Sequence, residues 1–303
     1  MKIGIDLGGT KTELVVIDRD SEIIFQKRIA TPAQSYDDII LSIKSLVAEA
    51  EQQAQVTCSV GIGTPGAVSQ LTGKIKNSNT QCLNQKPLQS DLQTALKREV
   101  RLANDANCLA LSESVDGAAM HAAIVFAVII GTGTGAGITI NKQLLLGENS
   151  IAGEWGHNPL PWMLDDEQPG FTCYCGKRGC IETFLSGPGF KMDYASRYGE
   201  HLEPKQIASN AAQAVPQALE AMQRYQDRLA RSLAHVINIL DPNSIILAGG
   251  MSNIPMLYTG LSQQVEKYVF SDQLKTPIIA ARHGDSSGVR GVAWLWDQTN
   301  YYI

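Results

Sequence analysis

A repeated pattern of strand, glycine-rich turn and returning strand constrains the fold of this chain more than any other sequence feature. The first copy spans residues 2–17, where the strand reaches Asp6 before the turn Gly8-Gly9-Thr10. The second copy spans residues 122–140 around a Gly/Thr turn at residues 131–137. Strand residues on both sides of a glycine turn predict a tight hairpin and not a strand that feeds a helix. Because each half of the chain carries one copy, the repeat indicates two related domains that face one nucleotide.

Both turns have the composition of a phosphate-binding loop. Glycines lack a Cβ atom, so backbone N–H groups in such a turn can approach an anion closely. In the first copy Asp6 can hold a metal ion, while Thr10 and Lys11 supply a hydroxyl group and a positive charge. An ordinary hairpin with a solvated acid and lysine is the alternative for that copy taken alone. Neither turn matches the P-loop or the dinucleotide fingerprint, because both of those open a helix.

The composition is that of a soluble globular protein. The chain has 303 residues, 44% of them hydrophobic and 18% charged, which is enough for two domains and a sizeable core. A formal net charge of −5 argues against a nucleic-acid surface, and we find no apolar run of the ~20 residues that a membrane helix needs. The chain opens directly into a strand, and its six cysteines do not suggest a disulfide framework. We therefore expect a cytoplasmic protein with no nucleic-acid or membrane partner.

Periodicity and breaker residues predict strands and helices that alternate after the first hairpin. The further strands are expected at residues 21–29, 58–63, 100–103, 244–248 and 277–281. Helices are expected at residues 36–53, 88–97, 108–115, 184–198, 205–213, 215–239, 255–270 and 287–296.

Three of these predicted strands end on residues that suit a ligand. Gly66 follows the strand at residues 58–63, at the carboxyl end where open α/β sheets bind ligands. The pair Gly249-Gly250 lets a planar or phosphorylated ligand approach the backbone, with a simple tight turn as the alternative. Asn104 and Asp105 lie between a strand and a helix, where either can cap the helix and stabilise it by about 1 kcal/mol. Asp105 as a base for a substrate hydroxyl is the other interpretation, and the residues alone favour the cap.

The segment from Glu154 to Cys180 concentrates chemically active side chains. Glu154 and His157 lie in a loop with two tryptophans, which suits a polar ligand better than a core, while residues 165–167 read as a solvated loop face. Three closely spaced cysteines predict three thiolate ligands of a tetrahedral zinc site, and free buried thiols are the alternative. The fourth ligand must come from elsewhere, and His157 is the nearest histidine in sequence. The cysteines are Cys173, Cys175 and Cys180.

Several motifs together resemble those of a known family. The two glycine–threonine hairpins, the aspartate after the last strand of the first half and Gly249-Gly250 are similar to the actin-like, sugar-kinase and heat-shock ATPase fold. Glu154-x-Gly-His157 and the run Cys-x-Cys-Gly-x-x-Gly-Cys-x-Glu, from Cys173 to Glu182, resemble the signatures of the ROK family of bacterial sugar kinases and repressors. Residues 104–107 and 283–288 are similar to the branch with fructokinase (mannokinase) and N-acetylglucosamine kinase, and residues 158–162 look most like fructokinase.

The resemblance implies an α/β, two-domain actin-like ATPase fold, of ribonuclease H-like and hexokinase type, with mixed sheets flanked by helices. A small N-terminal domain is expected at residues 1–118, joined by a C-terminal helix at residues 289–303, and it carries the first phosphate loop and Asp105. A larger C-terminal domain at residues 119–288 is expected to carry the second phosphate loop, the zinc site and an adenosine-binding Gly-Gly pair.

The activity implied by the resemblance is transfer of the γ-phosphoryl group of ATP to a hexose hydroxyl, most closely fructose to fructose 6-phosphate. An N-acetylglucosamine kinase or a glucokinase is the alternative within the family. A repressor would need a helix-turn-helix before the first glycine loop, and that loop lies within the first ten residues. A protein that binds sugar without turnover is a third possibility. The family also implies a homodimer.

The resemblance assigns roles to individual residues, and it makes Asp105 the catalytic base and no longer only a cap. The sugar would be bound by Gly66, Asn79, Asn104, Asp105, Glu154, His157 and Glu182. The phosphates and Mg²⁺ would be held by Gly4, Ile5, Asp6, Leu7, Gly8, Gly9, Thr10 and Lys11, and by Thr132, Gly133, Thr134, Gly135, Ala136 and Gly137. Gly249 and Gly250 would bind the adenosine. A structural Zn²⁺ would be bound by His157, Cys173, Cys175 and Cys180.

Overall fold

The computed structural model describes residues 1–69, 71–78, 80–284 and 287–299, and the chain divides into two compact units. Unit 1 comprises residues 1–120, 142–151 and 285–303, and unit 2 comprises residues 121–141 and 152–284. The predicted domains differ from these units mainly at residues 142–151, which cluster with unit 1.

The described residues form strands and helices in both units. The strands are β1 (Lys2–Leu7), β2 (Lys11–Ile17), β3 (Ile23–Ala30), β4 (Ser59–Gly63), β5 (Ala67–Val68), β6 (Ile75–Lys76), β7 (Val100–Ala103), β8 (Ile124–Ile130), β9 (Thr134–Ile140), β10 (Gln143–Leu144), β11 (Ser244–Ala248) and β12 (Ile278–Ala280). The α-helices are α1 (Tyr36–Ala54), α2 (Leu88–Leu96), α3 (Asp105–Val115), α4 (Glu182–Leu185), α5 (Gly187–Tyr198), α6 (Pro204–Ala212), α7 (Pro216–Leu240), α8 (Leu261–Glu266) and α9 (Ser287–Ala293).

Unit 1 is built on a mixed sheet with the strand order β3-β2-β1-β4-β7. The hairpin partners β1 and β2 are antiparallel, as are β2 and β3, whereas β4 is parallel to β1 and β7 is parallel to β4. The helix α1 forms because Ser35 caps its first turn and apolar residues such as Ile39 and Ile43 recur on the face that is buried. The antiparallel pairing of β1 with β2 confirms the first predicted hairpin.

The C-terminal helix α9 packs directly on the sheet of unit 1. A Cβ atom on Gly4 of β1 would lie 2.1 Å from the carbonyl oxygen of Val289, and one on Gly61 of β4 would lie 2.0 Å from that of Val292. Any side chain at these two positions would collide with the helix backbone. Glycine in β1 and β4 is thus what allows α9 to approach the sheet behind Asp6.

Unit 2 contains a second mixed sheet with the order β9-β8-β11-β12. Strands β8 and β9 form the second predicted hairpin, while β11 is parallel to β8 and β12 is parallel to β11. The long helix α7 buries an apolar face that includes Met222, Leu229 and Leu233, as its periodicity predicts. Each unit therefore repeats the same plan, an antiparallel hairpin followed by parallel strands.

Two helix predictions in unit 2 need correction. The helix expected at residues 255–270 is instead a 3₁₀ turn at Pro255–Tyr258 followed by the short helix α8, because Gly260 adopts a φ of 73° between them. The helix expected at residues 184–198 is divided at Ser186, whose side chain accepts a hydrogen bond from the backbone N–H of Gly189. No helix in the described part of the chain is both long and apolar enough to cross a membrane.

Candidate active site

The first glycine turn is fixed at its base and open at its tip. The backbone N–H of Gly8 donates to the carbonyl oxygen of Lys11 at 3.0 Å, and the Thr31 hydroxyl donates to the carbonyl oxygen of Gly8 at 2.8 Å. Gly9, Thr10 and Lys11 are exposed. The turn therefore presents a hydroxyl group and an ammonium group to solvent from a rigid support, as the phosphate-binding prediction requires.

Two carboxylates with raised pKa values lie in unit 1. Burial, followed by the negative charges of Asp105 and Glu13, raises the pKa of Asp6 to about 6 even though Lys11 and Arg28 oppose it. Among the described residues we find no hydrogen-bond donor to the Asp6 carboxylate. Carboxylate oxygens are hard ligands, so the Asp6 carboxylate suits a divalent cation such as Mg²⁺.

The structure separates the two candidate helix caps at the start of α3. Asn104 is the N-cap, because its side-chain oxygen accepts a hydrogen bond from the backbone N–H of Asn107 at 2.8 Å. Asp105 is the first helical residue, so α3 begins three residues earlier than predicted. The residue is exposed, its Oδ1 accepts a hydrogen bond from the backbone N–H of Ala106 at 2.8 Å, and burial by the surrounding protein raises its pKa. Asn104 is therefore the N-cap of α3, and Asp105 is an exposed residue beside it.

A recess in unit 1 lies beside the cap. Two predicted sugar-binding residues, Gly66 and Asn104, line this recess together with Asn107, whose side-chain oxygen is buried and has no partner in the described part of the chain. The walls are otherwise largely apolar and include residues that the sequence did not single out. These residues are Ala67, Val68, Leu102, Ala103 and Leu146. The predicted sugar ligand Asn79 lies outside the described residues.

The second glycine turn is shorter than predicted. Residues 131–133 form the turn, whereas residues 134–137 already belong to β9 and pair with β8. Residues 134–137 use backbone groups in their pairing with β8. Of the predicted phosphate-binding run, only Thr132 and Gly133 lie outside this pairing. The backbone N–H of Gly187 donates to the carbonyl oxygen of Gly131 at 2.8 Å, which joins the turn to the start of α5.

The Gly249-Gly250 pair adjoins this turn. Gly249 has a φ of 87°, and a Cβ atom there would lie 2.6 Å from the carbonyl oxygen of Ile130 at the end of β8. Gly250 has open space where its Cβ would be. The structure thus brings the predicted adenosine-binding pair to the predicted phosphate loop within unit 2.

Two glycines hold the Glu154–His157 segment against β9. A Cβ atom on Gly153 would lie 2.0 Å from the carbonyl oxygen of Ala136, and one on Gly156 would lie 1.9 Å from that of Thr134. Trp155 between them is buried and packs edge-on against Phe126. This anchoring leaves Glu154 exposed and His157 half-buried.

His157 and the three predicted cysteines form one cluster in unit 2. Their ligand atoms all lie within 4.8 Å of one another, with Cys173 Sγ 3.5 Å from His157 Nδ1 and Cys175 Sγ 3.6 Å from Cys180 Sγ. A tetrahedral Zn²⁺ with bonds of about 2.0–2.3 Å separates its ligands by similar distances. The cluster is therefore compatible with a structural zinc that is ligated by four protein groups.

Tyr174 is a polar residue at this cluster that the sequence did not mark. Its hydroxyl lies 2.9 Å from His157 Nε2, and the two rings are 5.0 Å apart at 89°. Desolvation, followed by the charges of Glu182 and Glu154, raises the pKa of Tyr174 to about 12. The only sequence signal for it was its place between two cysteines of the motif.

The prediction that residues 165–167 form a solvated loop face is wrong for Glu167. Glu167 is buried, and its Oε1 accepts hydrogen bonds at 2.8 Å from Arg228 Nε and from Arg231 Nη2. Burial raises the pKa of Glu167, but these two guanidinium groups outweigh that effect and hold it below its usual range. Arg231 also donates to the carbonyl oxygens of Pro161 and Trp162 at 2.9 Å. The loop between His157 and Cys173 is thereby tied to α7.

Comparisons with known proteins agree with this arrangement. The profile of the ROK family matches residues 2–299. An N-acetyl-D-glucosamine kinase of Shigella flexneri serotype 5b (strain 8401) is 40% identical over 299 residues, which are 97% of this chain and 99% of that protein. A ROK hexokinase from Thermus thermophilus has a TM-score of 0.87 at 28% identity and 97% coverage of both chains. A ROK family glucokinase from Streptomyces griseus, solved with glucose and AMPPNP, has a TM-score of 0.76 at 26% identity, covering 97% of this chain and 98% of that one. The predicted actin-like ATPase fold is confirmed.

Proposed function

The chain belongs to the ROK family, and from that premise we propose that it is an ATP-dependent kinase of N-acetylglucosamine. The observation that carries this proposal is the 40% identity to an N-acetyl-D-glucosamine kinase along nearly the full length of both proteins. The expectation of fructose, which came from residues 158–162, is unconfirmed. The similarity to N-acetyl-D-glucosamine kinases instead favours the alternative substrate in the sequence analysis, N-acetylglucosamine.

Asp105 is the proposed catalytic base. The residue is exposed, and Asn104 is the N-cap of the helix that Asp105 begins. Burial raises the pKa of Asp105, which strengthens its carboxylate as an acceptor for the proton of the attacking sugar hydroxyl. This role is worth about 10²–10⁴-fold in rate for a typical positioned base.

The two glycine turns and Asp6 are the proposed phosphate and cation ligands. Phosphoryl transfer depends mainly on positioning and on neutralising charge that spreads over the phosphate oxygens. Backbone N–H groups at Gly9 and Gly133 and the ammonium group of Lys11 supply such neutralisation. Mg²⁺, when it is bound with ATP, would add positive charge beside Asp6.

The cysteine cluster is the proposed site of a structural zinc. With all four positions taken by His157 and three cysteines, no position is left open for a water or a substrate. The cluster would therefore hold the backbone in place at its first and last ligands. Glu154 lies three residues before His157, and Glu182 lies two residues after Cys180.

The recess in unit 1 supports an acetamido sugar over a plain hexose. Its walls include Val68, Leu102 and Leu146, which offer apolar contacts for a methyl group. The side chains of Asn104 and Asn107 offer amide groups beside these walls, and an acetamido group has one N–H and one carbonyl oxygen to pair with them. We propose that the recess accepts the acetamido group of the sugar.

A panel of hexoses tests the proposed function. Initial rates of ADP formation are measured with N-acetylglucosamine, glucose, mannose and fructose at equal concentrations of Mg-ATP. The proposal predicts the highest kcat/KM for N-acetylglucosamine. A higher kcat/KM for fructose would restore the original expectation, and the lack of sugar-dependent ADP formation with every hexose would refute a sugar kinase.

A further inference from the structure

The start of α9 lies against the carboxylate of Asp6. A Cβ atom on Gly288 would lie 3.6 Å from both Cγ and Oδ2 of Asp6 and 3.9 Å from its Oδ1. These are ordinary van der Waals distances, so the backbone of Gly288 lies about the width of a methyl group away from the carboxylate and forms a wall beside it. The position of this first turn of α9 therefore limits how the Asp6 side chain can be oriented.

A buried hydrogen bond fixes the residue next to Gly288. The Ser287 hydroxyl donates to Oε1 of Glu113 at 2.9 Å. Ser287 is the first residue of α9 and is buried, and Glu113 lies in the last turn of α3 with no exposed surface. The pair thus joins the start of one helix to the end of another within unit 1.

The chain after α3 folds around the other oxygen of Glu113. Its Oε2 accepts a hydrogen bond from the backbone N–H of Ala118 at 2.8 Å, and a Cβ atom on Gly117 would lie only 2.4 Å from the same oxygen. The main-chain carbonyl of Glu113 accepts a further hydrogen bond from the backbone N–H of Ala119 at 2.9 Å. The carboxylate is thereby held at a fixed point on α3, from which it can hold α9.

A second contact fixes α9 further along the helix. A Cβ atom on Gly291 would lie 1.8 Å from the carbonyl oxygen of Cys108, so the backbones of α9 and α3 touch there without a side chain between them. Gly288 lies between this contact and the Ser287 hydrogen bond. Without that hydrogen bond, the first turn of α9 can pivot about Gly291 and move relative to Asp6.

A buried carboxylate is a costly way to join two helices if stability is its only role. Burial of an acid is unfavourable unless hydrogen bonds compensate it, and a pair of apolar side chains avoids that cost. A hydrogen bond, however, specifies the relative position of its two partners more narrowly than an apolar contact does. The acids whose charges raise the pKa of Asp6 are Asp105 and Glu13, so we expect Glu113 to influence Asp6 through packing.

We infer that Glu113 is a positioning residue for Asp6. It acts through the Ser287 hydroxyl, which sets the place of Gly288 and thereby the orientation of the Asp6 carboxylate toward the cation that accompanies ATP. Loss of a group that orients a metal ligand commonly lowers metal affinity by about 10–100-fold, and Glu113 acts one contact further away. This inference rests on the proposed function, because it requires that Asp6 face a cation.

The test measures how strongly Mg²⁺ improves nucleotide binding. The Kd of the ATP analogue AMPPNP is measured by calorimetry in excess Mg²⁺ and again in EDTA, and the ratio of the two Kd values gives the Mg²⁺ enhancement. Ser287→Ala removes the hydroxyl. In Glu113→Gln the amide N–H can donate to the Ser287 oxygen while the amide oxygen accepts from Ala118. Ser114→Ala is the control, because this buried neighbour of Glu113 donates only within α3, to the carbonyl oxygen of Leu111 at 3.1 Å.

Ser287→Ala should lower the Mg²⁺ enhancement by about 3–10-fold, the effect of about one lost hydrogen bond, and should leave the Kd in EDTA at the wild-type value. Glu113→Gln should retain the enhancement to within about twofold, since it can keep both hydrogen bonds. Ser114→Ala should lower the thermal midpoint as Ser287→Ala does but keep the enhancement. In an Asp6→Asn background, Ser287→Ala should have no further effect, because the carboxylate that it orients is gone.

An unchanged enhancement in Ser287→Ala would overturn the inference. A loss of affinity that is equal in Mg²⁺ and in EDTA, or an equal fall of the enhancement in Ser114→Ala, would also overturn it by showing a general effect on the fold. A Glu113→Gln variant that falls as far as Ser287→Ala would assign the effect to charge and not to position. Failure of the wild type to bind AMPPNP at all would instead refute the proposed function.

Discussion

The carboxylate of Glu182 accepts a hydrogen bond from the backbone N–H of Thr134, with 2.9 Å between Oε2 and N. Glu182 opens α4 two residues after Cys180, and Thr134 opens β9 directly after the second glycine turn. A Cβ atom on Gly133 would lie 2.8 Å from the same oxygen, so the turn needs glycine for this approach. One side chain thus connects the cysteine cluster to the predicted phosphate loop within unit 2.

Zinc binding and sugar affinity should fail together when one ligand of the cluster is removed. Cys180→Ser should weaken zinc binding by more than about 100-fold. Loss of a group that only supports a metal ligand lowers metal affinity by up to about 100-fold, and loss of a direct ligand should lower it further. The KM for the sugar should rise because Glu182 lies only two residues after Cys180. Zinc content and the thermal midpoint check this, with Cys82→Ser as the control because Cys82 lies outside the cluster. A Cys180→Ser variant that keeps one zinc per chain would contradict the cluster as a metal site.

Glu167 should be a stability residue, unlike its neighbour Asp165. Glu167→Gln leaves Arg228 and Arg231 buried without their shared carboxylate, and breaking a buried pair in this way costs about 3–5 kcal/mol. Asp165→Asn, on the exposed side of the same turn, should stay within about 0.5 kcal/mol of the wild type. Urea unfolding monitored by tryptophan fluorescence measures both, and equal stabilities would contradict the role of the buried network.

Asp6 should lower the stability of the metal-free protein at neutral pH. Its folded-state pKa of about 6 is above the ordinary value of 3.8, so the folded state binds this proton more tightly than the unfolded state. The stability that Asp6 contributes is therefore present below about pH 4 and is lost as the pH rises through 6. Asp6→Asn should be more stable than the wild type by up to about 3 kcal/mol at pH 7.5 without Mg²⁺, and equally stable at pH 4. Thermal midpoints at the two pH values measure the effect, and a less stable variant at pH 7.5 would contradict it.

The recess in unit 1 should decide between acetamido and hydroxyl sugars. Ala67→Val adds two methyl groups to its wall and should raise the KM for N-acetylglucosamine about tenfold, as is usual when a pocket loses room for one small group. The KM for glucose should change by less than about twofold, since glucose has no acetamido group to place there. Paired kinetics with both sugars measure this selectivity, and equal effects on the two would show that the recess does not hold the acetamido group.

Much of the fold follows from local sequence signals. The two hairpins are predicted because glycine turns separate apolar runs, and α7 because its apolar residues recur at helical spacing. The helix expected at residues 255–270 was wrong because one glycine, Gly260, adopts a left-handed conformation that periodicity does not register. Local sequence patterns therefore predict the presence of a helix or strand better than the residues at which it begins and ends.

The site is less visible in the sequence than the fold. The cysteine cluster is predicted because its ligands are close along the chain. Glu167 was missed because its partners lie 61 and 64 residues away on α7, and only the tertiary structure shows that they are buried together. Tyr174 was missed for another reason, since a motif describes its fixed positions and is silent about the residues between them.

The turnover of Asp105→Asn tests the account most directly. The variant keeps the Asn104 cap, and its kcat for N-acetylglucosamine with saturating Mg-ATP should fall by about 10²–10⁴-fold because the amide cannot accept the hydroxyl proton. The Kd of the sugar should stay within about threefold of the wild type, a change smaller than the loss of one hydrogen bond. The control is Asp38→Asn, which changes an exposed acid in the first turn of α1 and should keep full activity. An Asp105→Asn variant that retained wild-type kcat would contradict the assignment of Asp105 as the base.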